Sequence, residues 1–265
     1  DINTEKLLDI IIADDTLVDF VELTVSFPST SSSASGGSIT TPQRVGSEFQ
    51  VNTYTAGEQT KTNIASLSGG GFVGTWMSNG QDGSGEGVYG QIYDASGNAV
   101  GSEFLINSET NNNQDHPSVT GLSDGGFVVA WESTGQDGSG DGVYGQRYDA
   151  SAAAIGVEFK INTHTSNEQR DIHLASLEGG GFAANWISYN QDGNIWGIYG
   201  QRFDSSGNAA GAEFRINTHT ANNQQSAQIT SLPDGGFLAM FGSDSSTHAQ
   251  PDTSFFGAYG QRYDA

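Results

Sequence analysis

The stretch GGFVVAWESTGQDGSGDGVYGQRYDA (125–150) decides the fold of this 265-residue chain. It holds two runs of aromatic and β-branched residues, one ending at Trp131 and one around Tyr144, with clusters of Gly, Asp and Ser between and around them. Such runs, bounded by turn residues, predict β-strands joined by tight turns. The stretch recurs every 55 residues, and aromatic residues mark its four copies at Trp76, Trp131, Trp186 and Phe241.

The sequence between these stretches repeats with the same period. A Glu-Phe pair begins each copy, at Glu48, Glu103, Glu158 and Glu213, and a tyrosine marks its last strand, at Tyr89, Tyr144, Tyr199 and Tyr259. The last tyrosine step is 60 residues, so the fourth copy contains a five-residue insertion. Each copy is predicted to form four short antiparallel strands, the unit of a propeller blade. The sequence therefore predicts an all-β, four-bladed β-propeller over residues 42–265. Its repeats are 46–100, 101–155, 156–210 and 211–265.

The two ends of the repeat region predict how the ring closes. The region begins with a Glu-Phe strand (46–52) and ends with the strand around Tyr259, and these two strand types are hairpin partners elsewhere in the chain. Pairing them would close the last blade and remove two exposed sheet edges. Three ion pairs are expected across these hairpins: Arg147 with Glu158, Arg202 with Glu213, and Arg262 with Glu48. The same pairing between two molecules would instead build a polymer.

Residues 1–41 do not belong to the repeat. FVELTVSF (20–27) alternates apolar and polar residues, which predicts a half-buried strand, and KLLDIIIA (6–13) is a second apolar run. A Ser/Gly-rich linker (29–38) follows. A lone two-stranded hairpin is not stable in water. This β extension is therefore expected to dock on the propeller, to pair with a neighbouring subunit in a homo-oligomer or polymer, or to end a preceding domain.

The composition limits the classes of partner. The chain has 9 Lys and Arg against 31 Asp and Glu, a formal net charge of -22. A surface this acidic repels phosphate backbones and anionic lipid, so nucleic acid and membrane surfaces are unsuited as partners. No run approaches the roughly 20 apolar residues that span a bilayer. Because there is no cysteine, a disulfide scaffold and a Cys-ligated zinc site are excluded.

The loop after each tryptophan strand is the best candidate for a metal site. In copies one and two it reads DGSGEG (82–87) and DGSGDG (137–142), with oxygen-bearing side chains at offsets one, three and five and a Gly at six. That spacing resembles the first half of an EF-hand loop, although the bidentate Glu at offset twelve is missing. The predicted calcium ligands are Asp82, Ser84, Glu86, Asp137, Ser139, Asp141, Asp192 and Asn194. The competing interpretation is a Gly-rich hairpin with solvated acids.

Other chemistry has weaker signals. Trp76, Trp131 and Trp186 are expected in the core, whereas Trp196 stands in a predicted loop of one copy and is a candidate platform for stacking a sugar ring. There is no phosphate loop, nucleophile elbow or HExxH motif. The five histidines are scattered. An enzyme would be expected to show one asymmetric cleft with convergent carboxylates or histidines, and the sequence singles none out.

The pattern GGFVVAW (125–131) followed by GQDGSGDGVYGQRYDAS (135–151) resembles repeats of large secreted proteins of marine and other Gram-negative bacteria, often found beside calcium-binding RTX or VCBS-type segments. The resemblance covers residues 46–265. It implies an extracellular or cell-surface location, association with calcium, and adhesive or matrix roles.

These observations predict a non-enzymatic extracellular module, structural or adhesive, that contributes to a cell-surface or matrix assembly and self-assembles by strand addition. Two alternatives remain. One is a calcium-dependent lectin with a glycan ligand, and the other is a polysaccharide-active enzyme on a propeller scaffold.

Overall fold

The computed structural model describes residues 46–244 and 256–265, all of them in strands, turns and irregular segments. The predicted N-terminal strands and linker lie outside these residues, as do residues 245–255 of the fourth copy, the copy that contains the five-residue insertion. The chain divides into two units, 1–48 and 49–265. Within the described residues, no helix has the length and apolar character of a membrane span.

The described strands form four antiparallel sheets in chain order. Sheet 1 contains β1 (Gln59–Ser66), β2 (Phe72–Asn79), β3 (Glu86–Tyr93) and β4 (Ala99–Leu105). Sheet 2 contains β5 (Gln114–Gly121), β6 (Phe127–Thr134), β7 (Asp141–Tyr148) and β8 (Ala154–Lys160). Sheet 3 contains β9 (Gln169–Ser176), β10 (Phe182–Tyr189), β11 (Trp196–Phe203) and β12 (Phe214–Arg215). Sheet 4 contains β13 (Gln224–Ser231), β14 (Phe237–Asp244) and β15 (Phe256–Tyr263).

The sheets pack face to face in the order of the repeats. β1 lies beside β5, β5 beside β9 and β9 beside β13, so the first strand of each sheet is innermost. In β6, alternate residues serve opposite faces: Phe127, Val129 and Trp131 pack toward sheet 1, whereas Val128 and Ala130 pack toward sheet 3. This explains why both faces of the tryptophan strands are apolar. The all-β repeat architecture predicted from sequence is confirmed, and the three tryptophans are buried in the core as expected.

Each fourth strand comes from the start of the next repeat, as the 55-residue phase predicts. Two side-chain amides, which recur at the same positions of the repeats, then fix the chain where it enters the next sheet. Asn107 accepts a hydrogen bond from the Val88 N–H at 2.7 Å and donates to the Glu109 carbonyl and to Gln114. Equivalent bonds are made by Asn162 and Asn217. These recurring amides therefore satisfy buried backbone groups of the turns.

The predicted closing strand is not formed. Residues 47–50 have no regular secondary structure, and sheet 4 has three strands because nothing pairs with the outer edge of β15 within the described residues. Glu48 belongs to the N-terminal unit and is exposed. Arg262 forms an ion pair with Asp234 instead.

The predicted Arg–Glu pairs are also wrong. Arg147 pairs with Asp124, a turn residue of its own repeat, in the same way that Arg262 pairs with Asp234. Glu158 instead accepts hydrogen bonds from the N–H and hydroxyl of Ser108 at 2.7 and 2.8 Å. Its other oxygen accepts one from Gln136. The glutamate of the Glu-Phe pair thus fixes the connection between two successive sheets. The arginine forms its ion pair with the hairpin turn of its own repeat.

Candidate active site

A β-bulge interrupts the innermost strand of every sheet at the same repeat position. In β5 the register with β6 shifts between Asp115 and Ser118, and His116 inside the bulge has a φ of 49°. The corresponding residues, which also have positive φ, are Lys61, Asp171 and Ser226. A bulge turns a side chain out of the regular pleat and is common beside active sites. One structural position therefore presents a different side chain in each sheet.

Three ionisable side chains converge beside the bulge of sheet 2. His116 Nδ1 lies 3.2 Å from Asp115 Oδ1 and 3.7 Å from Glu132 Oε2. One oxygen or nitrogen from each residue lies within 4.8 Å of the others. No other set of three or more His, Asp and Glu side chains is this close in the described part of the chain. One imidazole and two carboxylates are also donor types that bind Zn²⁺.

Glu132 is the most unusual member of this cluster. It lies in the middle of the sheet, on β6, and is 5% exposed. Burial penalises the charged form and raises the pKa of Glu132 to about 7, while the neighbouring His116 opposes the shift. The backbone N–H of Asp171 donates to Oε1 at 2.7 Å and holds the carboxyl in place. A carboxyl group with this pKa carries a proton at neutral pH for a large part of the time.

The other two members connect Glu132 to solvent. The side chain of Asp115 is 21% exposed and that of His116 is 44% exposed. The hydrogen bond with Asp115 raises the pKa of His116. Water or a small polar group therefore reaches the cluster from the His116 side. Beside it, a shallow cavity of about 170 Å³ is lined by residues of three sheets, including Lys61, His116 and Asp171.

Neighbouring sheets add charge around the cluster. Arg170 Nε lies 2.6 Å from Asp141 Oδ2, and Asp141 also accepts a hydrogen bond from Thr134. Glu86, from sheet 1, has its pKa raised by burial and then by the negative charge of Asp115. Asp141 in turn adds to the negative potential at Glu132. The site is thus a group of carboxylates with Arg170, His116 and Lys61 as the basic groups around it.

This arrangement occurs in one repeat of four. The positions equivalent to Glu132 are occupied by Met77, Ile187 and Gly242. The positions equivalent to Asp115 are occupied by Thr60, Arg170 and Gln225. Sequence reasoning missed the cluster because it followed the residues that recur. The available signal was the opposite one, a carboxylate inside a core strand where the other copies have none.

The residues of the predicted calcium loops lie in turns and at the starts of strands. Asp82, Asp137 and Asp192 accept hydrogen bonds from backbone N–H groups two residues on, at 3.1, 3.2 and 3.2 Å. The Ser139 hydroxyl accepts one from the Asn167 N–H at 2.9 Å. Glu86 and Asp141, by contrast, begin the next strands and lie near the Asp115–Glu132 cluster. Calcium binding by these loops stays a prediction.

Trp196 is the first residue of β11 rather than a loop residue. It packs edge-on against Tyr189, with ring centroids 5.0 Å apart, and both side chains remain partly accessible. Its repeat position is that of Glu86 in sheet 1 and Asp141 in sheet 2. The aromatic pair therefore lies at the same end of its sheet as the carboxylates of the neighbouring sheets.

No protein-family model matches the sequence, and no curated protein matches it. Solved structures do share the fold. The alpha-L-arabinanase of Penicillium chrysogenum, complexed with arabinobiose, matches with a TM-score of 0.53 and 15% identity over 80% of this chain and 64% of that one. A mutant alpha-L-arabinofuranosidase of Fusarium graminearum, in complex with an iminosugar inhibitor, matches with a TM-score of 0.52 and 11% identity over 76% of this chain and 61% of that one. The chain thus spans less than two thirds of either structure, and the likeness supports a β-propeller fold.

These findings correct the prediction of a non-enzymatic structural or adhesive module. The two solved structures named above carry the names of enzymes, an arabinanase and an arabinofuranosidase. Among the residues that the structure describes, the second repeat carries one asymmetric cluster of carboxylates and histidine, which is the feature expected of an enzyme. The prediction that the chain is not an enzyme is therefore withdrawn.

Proposed function

We propose that the protein hydrolyses glycosidic bonds in a neutral polysaccharide, with the Asp115–His116–Glu132 cluster as its active site. The observation that carries this proposal is the buried Glu132, which has a pKa of about 7. It lies beside a second carboxyl group, that of Asp115, whose side chain is partly exposed. Glycosidases use two carboxyl groups in different protonation states, one as an acid and one as a nucleophile or base. A buried carboxyl group with a raised pKa, such as Glu132, is suited to the role of the acid.

The chemistry assigns a task to each carboxyl group. Protonated Glu132 donates its proton to the glycosidic oxygen as the bond from that oxygen to the anomeric carbon breaks. A carboxylate oxygen of Asp115 attacks the anomeric carbon, and water then cleaves the resulting glycosyl ester with Glu132 acting as the base. A separation of about 5 Å between the two carboxyl groups is typical of this double displacement, and longer distances are typical of direct attack by water. The oxygens of Asp115 and Glu132 lie within 4.8 Å, which favours the first route.

The charge of the protein and an aromatic pair on sheet 3 favour a neutral sugar chain as the substrate. A protein with a net charge of -22 repels acidic polysaccharides. The partly exposed pair of Tyr189 and Trp196 offers aromatic faces on which the apolar face of a sugar ring stacks. The two solved structures with the same fold carry names that refer to arabinose-containing substrates. Arabinan is therefore the first substrate to test.

The test is to incubate the full chain with arabinan and with a panel of other neutral polysaccharides. Hydrolysis is measured as the release of reducing sugar. We expect Glu132→Gln and Asp115→Asn each to lower kcat by about 100-fold or more, the usual contribution of a positioned acid or nucleophile. Trp196→Ala is expected to raise KM with a smaller effect on kcat. Activity of the parent chain should decline above about pH 7, because Glu132 loses its proton there.

Glu178→Gln is the matched control, since Glu178 is an exposed turn residue of the same type outside the cluster. It should leave kcat and KM unchanged. If the parent chain binds sugars without cleaving them, the lectin alternative replaces this proposal. Full activity in Glu132→Gln would exclude Glu132 as the acid even if hydrolysis is observed.

A further inference from the structure

The internal joints between sheets follow one pattern. We call the face toward the preceding sheet the leading face and the face toward the following sheet the trailing face. Between sheets 1 and 2, Val73 and Val88 of the trailing face pack against Val119, Phe127 and Val129 of the leading face. All five side chains are buried. Equivalent residues fill the joints between sheets 2 and 3 and between sheets 3 and 4.

The leading face of sheet 1 has the same chemistry, but no other sheet of the described residues packs on it. Ile64, the counterpart of Val119, is 66% exposed, and Val51 and Phe72 are also accessible. An apolar groove of about 330 Å³ runs over this face between Ile64 and Trp76. Trp76 on this face is itself buried, but Ile64 and Phe72 are accessible to water at positions whose counterparts, Val119 and Phe127, are buried.

The trailing face of sheet 4 is open in a complementary way. Met240 is 49% exposed, whereas its counterpart Ala130 is fully buried. Ala258 is exposed, whereas its counterpart Val143 is fully buried. The outer edge of β15 also lacks the strand that completes the other sheets. Among the described strands, β13 does not pack beside β1 as the other neighbouring first strands do, so the two open faces do not cover each other within one chain.

We propose that these two open faces form a head-to-tail joint between two copies of this chain, with the trailing face of sheet 4 in one copy packed on the leading face of sheet 1 in the other. The occupant is argued from the repeat itself, because trailing and leading faces of these sequences already fit each other three times inside the chain. Such a joint uses different surfaces on the two partners, which is a heterologous contact. It removes apolar area from water in the same way as the internal joints.

The internal joints also predict which residues meet across the new one. The Leu174 N–H of sheet 3 donates to the Ser118 hydroxyl of sheet 2 at 3.1 Å. In the repeat, the counterpart of Ser118 in sheet 4 is Gln228, and the counterpart of Leu174 in sheet 1 is Ile64. The same contact across the proposed joint therefore places Gln228 of one copy beside Ile64 of the other. Both residues are exposed in the single chain.

The experiment uses a pair of charge variants of the full chain. Ile64→Asp damages the leading face of sheet 1, and Met240→Asp damages the trailing face of sheet 4. In sedimentation velocity, the parent chain should self-associate as its concentration rises, and each variant alone should stay monomeric. Each variant keeps one intact face, so an equal mixture should form a one-to-one heterodimer and nothing larger. Val157→Asp is the matched control, because Val157 is 82% exposed on β8 and belongs to neither face.

A second measurement does not depend on a disruptive charge. Since the chain has no cysteine, Ile64→Cys and Gln228→Cys can be made singly and mixed under oxidising conditions. A disulfide-linked dimer should appear in the mixture in excess of either variant alone. A parent chain that stays monomeric at all concentrations would overturn the proposal, as would unchanged association of either Asp variant. Failure of the mixed Asp variants to pair would also overturn it, because the contact would then not be head-to-tail.

Discussion

The leading faces of sheet 1 and sheet 2 have nearly the same sequence but are covered to different degrees. GGFVGTW (70–76) and GGFVVAW (125–131) fold into the same hairpin with the same register to the following strand. In sheet 2 the face is covered by sheet 1, and Phe127, Val129 and Trp131 are inaccessible to water. In sheet 1 the equivalent face borders an open groove. Local sequence therefore sets the strand and the hairpin, whereas the burial that stabilises it comes from the neighbouring sheet.

The two repeats also differ at one charged position. Sheet 1 has Met77 where sheet 2 has Glu132, and the two side chains are almost equally buried, at 6% and 5% exposure. Burying methionine contributes to stability, whereas burying a carboxyl group costs free energy. Because only one copy of four has a carboxyl group at this buried position, we expect Glu132 to have a function rather than a structural role. The comparison of the two repeats thus shows how burial affects stability, and it identifies Glu132 as a candidate functional residue.

The largest expected difference between the two faces is at the tryptophans. Trp131→Ala should lower the free energy of unfolding by roughly 3–5 kcal/mol, because it leaves a cavity between two packed sheets. Trp76→Ala should cost less, since the groove beside Trp76 lets water and neighbouring side chains fill the space. Urea unfolding of both variants, followed by tryptophan fluorescence and circular dichroism, measures the difference. Equal losses would mean that the face of sheet 1 is covered in solution.

The second prediction concerns Glu132 and pH. Its pKa is about 7 in the folded chain and 4.5 in the unfolded chain, so folding favours the protonated form. Its contribution to stability is fully present below pH 4.5 and is lost as the pH rises through 7. The shift corresponds to about 3 kcal/mol. Glu132→Gln should therefore gain about that much stability relative to the parent chain between pH 4 and pH 8.

Parallel unfolding curves of the two proteins at both pH values measure this gain. Met77→Gln is the control, because it places the same amide at the equivalent position of sheet 1 where there is no carboxyl group to titrate. Its stability relative to the parent chain should not increase between pH 4 and pH 8 by a comparable amount. The opposite result is that the free energies of unfolding of Glu132→Gln and the parent chain differ by the same amount at both pH values. That result would show that Glu132 is not held in its neutral form.

The fold could be predicted from sequence to a large extent because the repeat supplies the same evidence several times. Each tryptophan strand, each Gly-rich turn and each tyrosine strand appears in several copies, and their spacing fixes the hairpin partners. The close approach in the turn explains one recurring glycine: a Cβ atom on Gly126 would lie 2.3 Å from the Tyr148 carbonyl oxygen. Closure between residues 46–52 and β15 was a different kind of prediction, since it rested on tertiary geometry that appears once.

The candidate site could not be predicted in the same way. Asp115 and Glu132 lie on neighbouring strands, and the β-bulge that turns His116 toward them has no signature in residue type, since Lys61, Asp171 and Ser226 occupy the same conformation. The calcium interpretation considered the loop as a local segment and so grouped Asp137 with Asp141. In the structure Asp141 forms an ion pair with Arg170 and adds negative charge at Glu132, two contacts that the local sequence does not reveal. Long-range contacts of this kind depend on how the sheets pack.

A smaller effect is expected from aliphatic residues of the same two faces. Val119→Ala should cost roughly 1–3 kcal/mol, because Val119 is buried between sheets 1 and 2. Ile64→Ala should change the stability of the monomer by less than about 0.5 kcal/mol, as surface substitutions usually do. Unfolding at low protein concentration tests the monomer. A cost for Ile64→Ala that grows with concentration would be the mark of the joint between copies, since association stabilises the folded state.

The smallest effect is expected at the pair Asp124 and Arg147, which sheet 1 lacks entirely. At the equivalent positions sheet 1 has Gly69 and Ile92, yet it forms the same hairpin. Sheet 3 has an arginine without the aspartate, and Arg202 lies over the ring of Phe237 at 6.0 Å instead. Because the Asp124 side chain is 46% exposed, the pair should contribute at most about 1 kcal/mol. A double-mutant cycle with Asp124→Gly and Arg147→Ile measures the coupling directly. A coupling energy well above that value would mean that the arginine fixes the hairpin of sheet 2 in a way that sheet 1 achieves without it.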